Sequence, residues 1–283
     1  MTDILPVADK RRVADDFGAA ASTYEAAARL QRHVGEALLG MDDTHAPVRH
    51  VLDLGCGTGL FLPSLARRYP QAQYLGMDLS AGMLAHACTH VPDHVSLPVH
   101  WLQGDADALP LADASVDRVF SSLMIQWCAD LQATLQGIRR VLRPGGVALI
   151  STLADGTLAE LADAWAQVDP AGGHVNRFLS VAAIRDAAEA AMIGPDGAAR
   201  GTCHLRVEPV RLPLDTPMSL LHELKALGAR YKAGDRAKHL TGRQRLRALC
   251  AAYEHHRQPD GILPATYVAV YLVMRRFDTD LRG

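Results

Sequence analysis

The chain has 283 residues, of which 49% are apolar, and its formal net charge is −2. This length and composition fit one large globular domain, and a nearly neutral chain is not attracted as a whole to nucleic acid or to an anionic membrane. No segment reaches the ~18 apolar residues of a membrane helix, the start has no continuous apolar signal region, and the five cysteines are scattered without a C-x-x-C pair. We therefore expect a cytoplasmic protein with no disulfide framework, no metal site and no nucleic-acid or membrane partner.

The first predicted element is an amphipathic helix in residues 17–40. Its apolar side chains recur at steps of three and four along one stripe, which consists of Tyr24, Ala27, Leu30, Val34 and Leu38. Short apolar runs then alternate with helical segments, and these runs lie at 50–54, 73–79, 99–105, 117–123 and 145–153. Alternation of this kind predicts parallel strands that are joined by crossover helices on both faces of a sheet.

The later part of the chain predicts an edge to this sheet. The stretch "LRPGG" at 142–146 is typical of a turn between the preceding helix and the fifth strand. Apolar runs at 203–212 and 265–276 predict two antiparallel strands that close the sheet. The predicted fold is α/β, with a doubly wound and mostly parallel seven-stranded sheet and an added helical cap.

Two parts are expected in this chain. Residues 1–48 contain the amphipathic helix and form a lid, whereas residues 49–283 form the main domain. Helical segments that the sheet does not need are inserted in the main domain at about 154–200 and 213–258.

The stretch "VLDLGCGTGLF" at 51–61 places three alternating glycines directly after the first predicted strand. A glycine turn that leads into a helix exposes backbone N–H groups at the carboxyl edge of the sheet, where open α/β folds bind ligands. The spacing of Gly55, Gly57 and Gly59 is not the G-x-G-x-x-G of dinucleotide sites, and no Gly-Lys-Ser/Thr follows. Asp78 ends the second strand, where a carboxylate accepts hydrogen bonds from ribose hydroxyls. The pattern predicts a nucleoside ligand without a pyrophosphate.

Four motifs in residues 50–153 resemble those of class I S-adenosylmethionine-dependent methyltransferases. They are "DLGCGTG", "MDLSAGML", "GDADALPL" and "LRPGG", in the order of that family. The resemblance implies S-adenosylmethionine as the cofactor, glycines under its methionine part, Asp78 on its ribose, and Leu79 and Met83 on its adenine. The full set of cofactor-binding residues that it implies is Tyr24, Gln31, Asp53, Gly55, Cys56, Gly57, Gly59, Asp78, Leu79, Met83, Asp105, Ala106 and Ser121.

The flanking segments resemble one subfamily, the malonyl-acyl-carrier-protein O-methyltransferases that start pimeloyl synthesis for biotin. The matching stretches include "FGAAASTYEAAARLQ", "IQWCADL", "HVNRFLS", "LKALGAR" and "PATYVAVYLVMRR". One departure is Ser122, at a position where the subfamily usually has Asn. The resemblance implies methyl transfer to the free carboxylate of a malonyl thioester, with malonyl-acyl carrier protein or malonyl-CoA as the partner.

A carboxylate acceptor needs orientation more than it needs a base, because a carboxyl of pKa about 4 is already ionised at neutral pH. Candidates for the orienting cation are Arg177, Lys225 and Arg230, and a bidentate guanidinium favours Arg177. Tyr24 and Gln31 share one helix face and are expected to close over the cofactor. Residues expected to line the acceptor pocket are Gln126, Trp127 and Tyr267.

Other interpretations of the same sequence stay open. One is a methyltransferase that acts on a quinone-type ring or a small free acid, and another is a non-catalytic regulator that binds S-adenosylmethionine. Residues 230–247 contain seven lysines and arginines against the single acid Asp235. This local charge predicts a docking surface for acidic acyl carrier protein. We expect a monomer.

Overall fold

The structure is a computed structural model that describes residues 9–44, 46–91, 99–170, 173–229 and 242–278. The strands are β1 (His50–Leu54), β2 (Gln73–Asp78), β3 (Val99–Gln103), β4 (Val116–Ser122), β5 (Leu142–Leu153), β6 (Gly201–Leu214) and β7 (Leu263–Arg276). The helices are α1 (Lys10–Ala27), α2 (Arg29–Leu39), α3 (Leu62–Arg68), α4 (Ala81–His90), α5 (Leu131–Val141), α6 (Ala159–Val168), α7 (Val181–Ala191), α8 (Pro217–Ala226) and α9 (Arg243–Glu254).

The seven strands form one sheet in the order β3-β2-β1-β4-β5-β7-β6. Within the set β1 to β5, every pair of neighbouring strands is parallel. Strand β7 is antiparallel to both of its neighbours, β5 and β6. From β1 the chain first builds outward to β2 and β3, and it then returns to place β4 on the other side of β1. Ligands of open α/β sheets bind at such a point, where the strand order changes direction. The predicted seven-stranded, mostly parallel fold is confirmed.

Three local predictions differ from the structure. The predicted single helix in residues 17–40 is two helices, because the backbone of Ala28 leaves the helical region with φ −81° and ψ 43°. The predicted turn at 142–146 is an outward bulge within β5, since Leu142 pairs with Val116 and the next paired residue is Val147. The two edge strands are also longer than predicted, because the β6–β7 ladder continues to Leu214 and Leu263.

The apolar core lies on both faces of the sheet. Along β5, Val147 and Leu149 face one apolar cluster, and Ala148 and Ile150 face the other, as the two-residue period of a strand requires. Helices α2, α3, α6 and α9 pack on the first face, whereas α5 and α7 pack on the second. This arrangement is why the central strands consist of nearly continuous apolar runs rather than alternating ones.

Helix α1 lies across the carboxyl edge of the sheet and packs against α4 and α8. Its contact with α4 is close, because a Cβ at Gly82 would lie 2.8 Å from the Cα of Gly18. The Oγ1 of Thr23 donates a hydrogen bond to the carbonyl of Ala226 at 2.9 Å, which ties α1 to the end of α8. Helix α1 thus covers the edge where the glycine turn lies.

A buried ion pair connects α2 to the opposite edge of the sheet. Arg118 on β4 donates from Nε to Asp42 at 2.9 Å, and the Tyr69 hydroxyl donates to the same carboxylate at 2.6 Å. Burial opposes ionisation of Asp42, but hydrogen bonds from Thr44, Tyr69 and Arg118 outweigh it and lower the pKa to about 2. This network stabilises the fold and lies far from the glycine turn.

Among the described residues, no helix combines the length and the apolar character needed to cross a bilayer. In the same part of the chain, no group of three or more His, Cys, Asp or Glu side chains is placed to hold a metal ion.

Candidate active site

The glycine turn after β1 has the backbone that its sequence predicts. Gly55, Gly57 and Gly59 have φ angles of 74°, 55° and 79°, a region that favours glycine. A Cβ at Gly57 would meet no atom within 4 Å, so this glycine borders open space. A Cβ at Gly55 would instead collide with the side chain of Met124 at 2.2 Å. The turn therefore presents bare backbone to a cavity and packs tightly behind it.

Asp78 at the end of β2 joins this turn to α4. Its two carboxylate oxygens accept hydrogen bonds from the backbone N–H groups of Gly57 and Ser80, each at 2.8 Å. Burial raises the pKa of Asp78, and these backbone donors oppose the rise. Ser80, rather than Asp78, caps α4, because its side chain accepts from the N–H of Met83. The carboxylate is thus held in place at the cavity.

Asp53 is a second carboxylate beneath the turn. It is 3% exposed, and its Oδ2 is buried with no hydrogen bond to any of the residues that the structure describes. Burial and the neighbouring charge of Asp78 raise the pKa of Asp53 to about 8. Burial raises the pKa of Tyr24 on α1, and the charges of Asp78, Glu25 and Asp53 add to this rise. An unsatisfied buried carboxyl is costly, so this site is suited to a cationic ligand group.

A cavity of about 100 Å³ lies at the glycine turn and is covered by α1. Lys10 at the start of α1 lines it and bonds to Asp105 and Asp107 at 2.5 Å and 2.6 Å. Sequence reasoning missed Lys10, because an isolated lysine gives no signal of a contact with residues so distant in sequence. The predicted cofactor-binding residues that line this cavity are Tyr24, Gly55, Gly57, Asp78, Leu79, Met83, Asp105 and Ala106.

A second cavity, of about 380 Å³, lies beside the first and is mostly apolar. Its walls come from α2, α6, α8, β7 and the segment before α7, so residues distant in sequence meet there. The predicted site residues among its lining are Tyr24, Gln31, Gln126, Trp127, Lys225 and Tyr267. This second cavity is called the acceptor cavity below, because the residues predicted for the acceptor pocket lie in its lining. Gln31 was predicted at the cofactor, but it lines the second cavity and not the first.

The two cavities share part of their lining. Four residues belong to both, namely Phe17, Tyr24, Leu123 and Trp127. The rings of Phe17 and Trp127 pack edge to face with centroids 5.6 Å apart. The cavities therefore adjoin at these aromatic and aliphatic side chains, and this boundary is called the junction below.

Several predicted site residues are absent from both linings. Arg177 is exposed, although its neighbours Asn176 and Phe178 line the acceptor cavity, because successive side chains of this non-helical segment point in different directions. Ser121 lies within the core and donates to the carbonyl of Leu54 at 2.8 Å, and Ser122 lines the cofactor cavity instead. Arg230 lies outside the described residues. The other predicted residues outside the linings are Asp53, which lies in β1 beneath the turn, and Cys56 and Gly59 of the turn itself.

The fold and the turn define the class of this protein. A parallel sheet with an antiparallel β7, a glycine turn after β1 and a carboxylate at the end of β2 are the features of a class I methyltransferase. Residues 52–150 match a family described as a methyltransferase domain. A crystal structure of the YcgJ protein from Bacillus subtilis superimposes with a TM-score of 0.61 at 17% identity, over 88% of this chain and all of that one. That likeness concerns the fold.

Two curated relatives narrow the class. A malonyl-[acyl-carrier protein] O-methyltransferase from Serratia marcescens is 43% identical over 98% of this chain and 100% of its own length. The biotin biosynthesis bifunctional protein BioHC from Cellvibrio japonicus is 45% identical over 94% of this chain, which spans half of that longer protein. The chain belongs to the malonyl-[acyl-carrier protein] O-methyltransferase family.

The residues present fit S-adenosylmethionine. Open space next to Gly57 leaves room for a ligand against the bare backbone, and Asp78 lies at the same cavity for ribose hydroxyls. The carboxyl of Asp53, which lies beneath the turn and outside the cavity lining, can supply negative charge that suits the ammonium of the methionine part. Of the described residues that line this cavity, only Lys10 is a lysine or an arginine. Its charge is compensated by Asp105 and Asp107. The site therefore suits a cationic nucleoside.

Proposed function

We propose that this chain transfers the methyl group of S-adenosylmethionine to the free carboxylate of a malonyl thioester carried by acyl carrier protein. The product is the methyl ester that starts pimeloyl synthesis for biotin. The observation that carries this proposal is the pair of adjoining cavities, which share Phe17, Tyr24, Leu123 and Trp127. Relatives with this activity in their names align over nearly the whole chain, including the segments that build the acceptor cavity.

On the cofactor side, the chain contributes binding and orientation. When bound, S-adenosylmethionine supplies a methyl group on a cationic sulfur. Asp78 is held by two backbone N–H groups and accepts from the ribose, whereas Asp53, buried beneath the turn, attracts the ammonium through its charge rather than by contact. Helix α1 covers the cavity and is fixed by Lys10, which pairs with acids from the β3–β4 connection. These contacts hold the cofactor before an acceptor arrives.

On the acceptor side, the chain contributes a dry wall with few polar groups. Gln126 is fixed, because its Nε2 donates to the carbonyl of Leu123 at 2.6 Å and its Oε1 accepts from Thr152 at 3.2 Å. The aromatic residues Trp127 and Tyr267 add apolar surface. Removing water from an ionised carboxylate makes it a better nucleophile, and the walls orient one oxygen toward the junction. The acceptor is already an anion at neutral pH, so no general base is required.

The carrier is proposed to dock at the start of α9. Most of the basic segment, residues 230–241, lies outside the described residues, but Arg243 and Arg247 on α9 are exposed. Arg245, between them, lies 3.4 Å from Asp169, which in turn contacts His174 of the acceptor cavity. An acidic carrier attracted to α9 would thus arrive beside the cavity, and this attraction weakens with salt.

Charge reversal tests this docking surface. Changing Arg243 and Arg247 to Glu should raise the KM for malonyl-acyl carrier protein several-fold and leave the KM for malonyl-CoA nearly unchanged. Reversal of Arg185, an exposed arginine of α7 on the other face of the sheet, is the matched control. Equal losses on both carriers, or no loss on either, would contradict docking at α9 without affecting the methyltransferase assignment.

The function itself is tested by transfer of label from S-adenosylmethionine to thioesters. The chain should label malonyl thioesters and not acetyl thioesters, which lack the second carboxyl. Asp78→Ala should weaken S-adenosylmethionine binding several-fold or more, because the ribose loses its charged acceptor. Binding of S-adenosylmethionine without labelling of any malonyl thioester would contradict the proposal. The cytoplasmic location and the monomeric state remain predictions from the sequence.

A further inference from the structure

The acceptor cavity contains a histidine that the proposed function leaves without a role. Among the lining residues that the structure describes, His174 and Lys225 are those able to carry positive charge, and none is a carboxylate. Lys225 is an exposed residue, whereas the His174 side chain is only 15% exposed. His174 is therefore the more buried of the two groups that an anionic acceptor would meet in this cavity.

Two neighbours hold the ring of His174 in one orientation. The ring stacks on Trp165 of α6, with centroids 3.7 Å apart and an angle of 13° between the planes. Its Nε2 lies 2.9 Å from Oδ2 of Asp169, and because a carboxylate only accepts hydrogen bonds, Nε2 carries a proton. Asp169 is itself held by Arg245 at 3.4 Å. The ring is thus oriented before any acceptor binds.

The second ring nitrogen has no such partner. Within the part of the chain that the structure describes, the hydrogen bond of His174 runs through Nε2 to Asp169. An imidazole placed between two carboxylates carries a proton on each nitrogen and donates to both of them. Asp169 supplies one carboxylate, and the acceptor in the cavity supplies the other. Arg245 pairs with Asp169, and Lys225 is a further charged residue in the lining of the same cavity.

We infer that His174 binds the acceptor carboxylate through Nδ1, with Asp169 and Trp165 as the residues that position its ring. This inference rests on the proposed function, because it assigns a residue to the carboxylate of the malonyl group. One carboxylate oxygen is held by His174, and the other stays free to attack. The sequence analysis favoured Arg177, three residues further along the same segment, which the structure places outside the cavity.

A pair of ligands that differ by the carboxylate tests this assignment. The protein is saturated with S-adenosylhomocysteine and titrated with malonyl-CoA or with acetyl-CoA by calorimetry. His174→Gln should weaken malonyl-CoA binding by about 10- to 100-fold, which is the usual effect of losing a hydrogen bond between charged groups. Acetyl-CoA binding should stay within about twofold of the wild-type value, because acetyl-CoA has no carboxylate for His174 to bind.

His256→Gln is the matched control. Like His174, His256 lies near a carboxylate of the α6 region, with its Nε2 3.3 Å from Asp163, but it does not line the acceptor cavity. Its replacement should leave both affinities unchanged. Asp169→Asn should weaken malonyl-CoA selectively and by less than His174→Gln, since the ring remains but loses its charged anchor.

Three outcomes would overturn the inference. One is unchanged malonyl-CoA affinity in His174→Gln, and another is equal weakening of malonyl-CoA and acetyl-CoA, which would place His174 at the thioester or in packing. Retained S-adenosylhomocysteine binding shows that the variant is folded, and if His174→Gln fails this check, Asp169→Asn is judged instead. The third outcome is that His256→Gln weakens malonyl-CoA binding relative to acetyl-CoA binding by as much as His174→Gln does. Failure of the proposed function would appear separately, as absence of methyl ester with the wild-type protein.

Discussion

Binding of S-adenosylmethionine is predicted to release a proton from Asp53. This carboxyl is buried, its Oδ2 has no hydrogen-bond partner among the described residues, and burial together with Asp78 raises its pKa to about 8. The free protein therefore holds Asp53 mostly protonated at pH 7. The ammonium of the bound ligand favours the ionised carboxylate, so the proton leaves when the ligand binds.

The size of this effect follows from the raised pKa of Asp53. At pH 6.5 a group with a pKa of about 8 is roughly 97% protonated, so proton release should approach about one per site. Below pH 7.5 the affinity for S-adenosylmethionine should rise by up to about tenfold per pH unit, and above pH 8 it should stop rising, because Asp53 is then ionised and the ligand's ammonium begins to lose its proton. The ligand's own amino group is protonated at pH 6.5 and contributes little there, because the ordinary pKa of an α-amino group is about 7.7 to 8.0.

Calorimetry at pH 6.5 measures the released proton directly. The observed binding enthalpy is compared between two buffers of different ionisation enthalpy, and the difference gives the number of protons. Asp53→Asn keeps the shape of the side chain without its titration, so its binding enthalpy should not depend on the buffer. No proton release by the wild-type protein, or equal release by the Asn variant, would refute this account of Asp53.

Three further predictions concern the lid, the fold and the reaction. Gly82→Ala should weaken S-adenosylmethionine binding several-fold in calorimetry, because a Cβ there would lie 2.8 Å from Gly18 and displace α1; Gly137→Ala, with its nearest contact at 3.7 Å, should leave that affinity unchanged. Asp42→Asn should lower the free energy of unfolding in urea by at least about 2 kcal/mol at pH 7, and the deficit should shrink as the pH falls from 4 toward 2. Folding lowers the pKa of Asp42, so its carboxylate stabilises the fold above its ordinary pKa, and this contribution is lost when the group is protonated. A difference in unfolding free energy that stays constant with pH would contradict this prediction. The rate with both substrates saturating should be nearly flat from about pH 6 to 8, and a steep rise would indicate a general base.

The sheet was predictable because its signals are local. Each parallel strand is a short apolar run that ends at a turn, and the ladder of β6 with β7 follows from the two runs at 203–212 and 265–276. The break at Ala28 was not predictable, since the alanines before it and Arg29 and Leu30 after it all favour a helix. It arises from tertiary packing, because Leu30 and Val34 of α2 enter the core while α1 covers the cofactor cavity.

The two halves of the site differ in the same way. The cofactor side includes the turn after β1 and the end of β2, so two short motifs predict five of its lining residues, namely Gly55, Gly57, Asp78, Leu79 and Met83. The acceptor side is assembled from distant elements, and its key contacts are not periodic in sequence. In the segment that holds both His174 and Arg177, no pattern indicates which side chain turns inward. Only packing against Trp165 and Asp169 decides this.

The methyl group is expected to end on an oxygen of the free carboxyl of a malonyl thioester. The most direct measurement is mass spectrometry of malonyl-acyl carrier protein after incubation with the wild-type chain and S-adenosylmethionine labelled in its methyl group. The account predicts one labelled methyl group per malonyl unit, released as labelled methanol by mild alkali because it is an ester. A label that survives alkali on carbon, or an unlabelled malonyl carrier in the presence of bound S-adenosylmethionine, would contradict it.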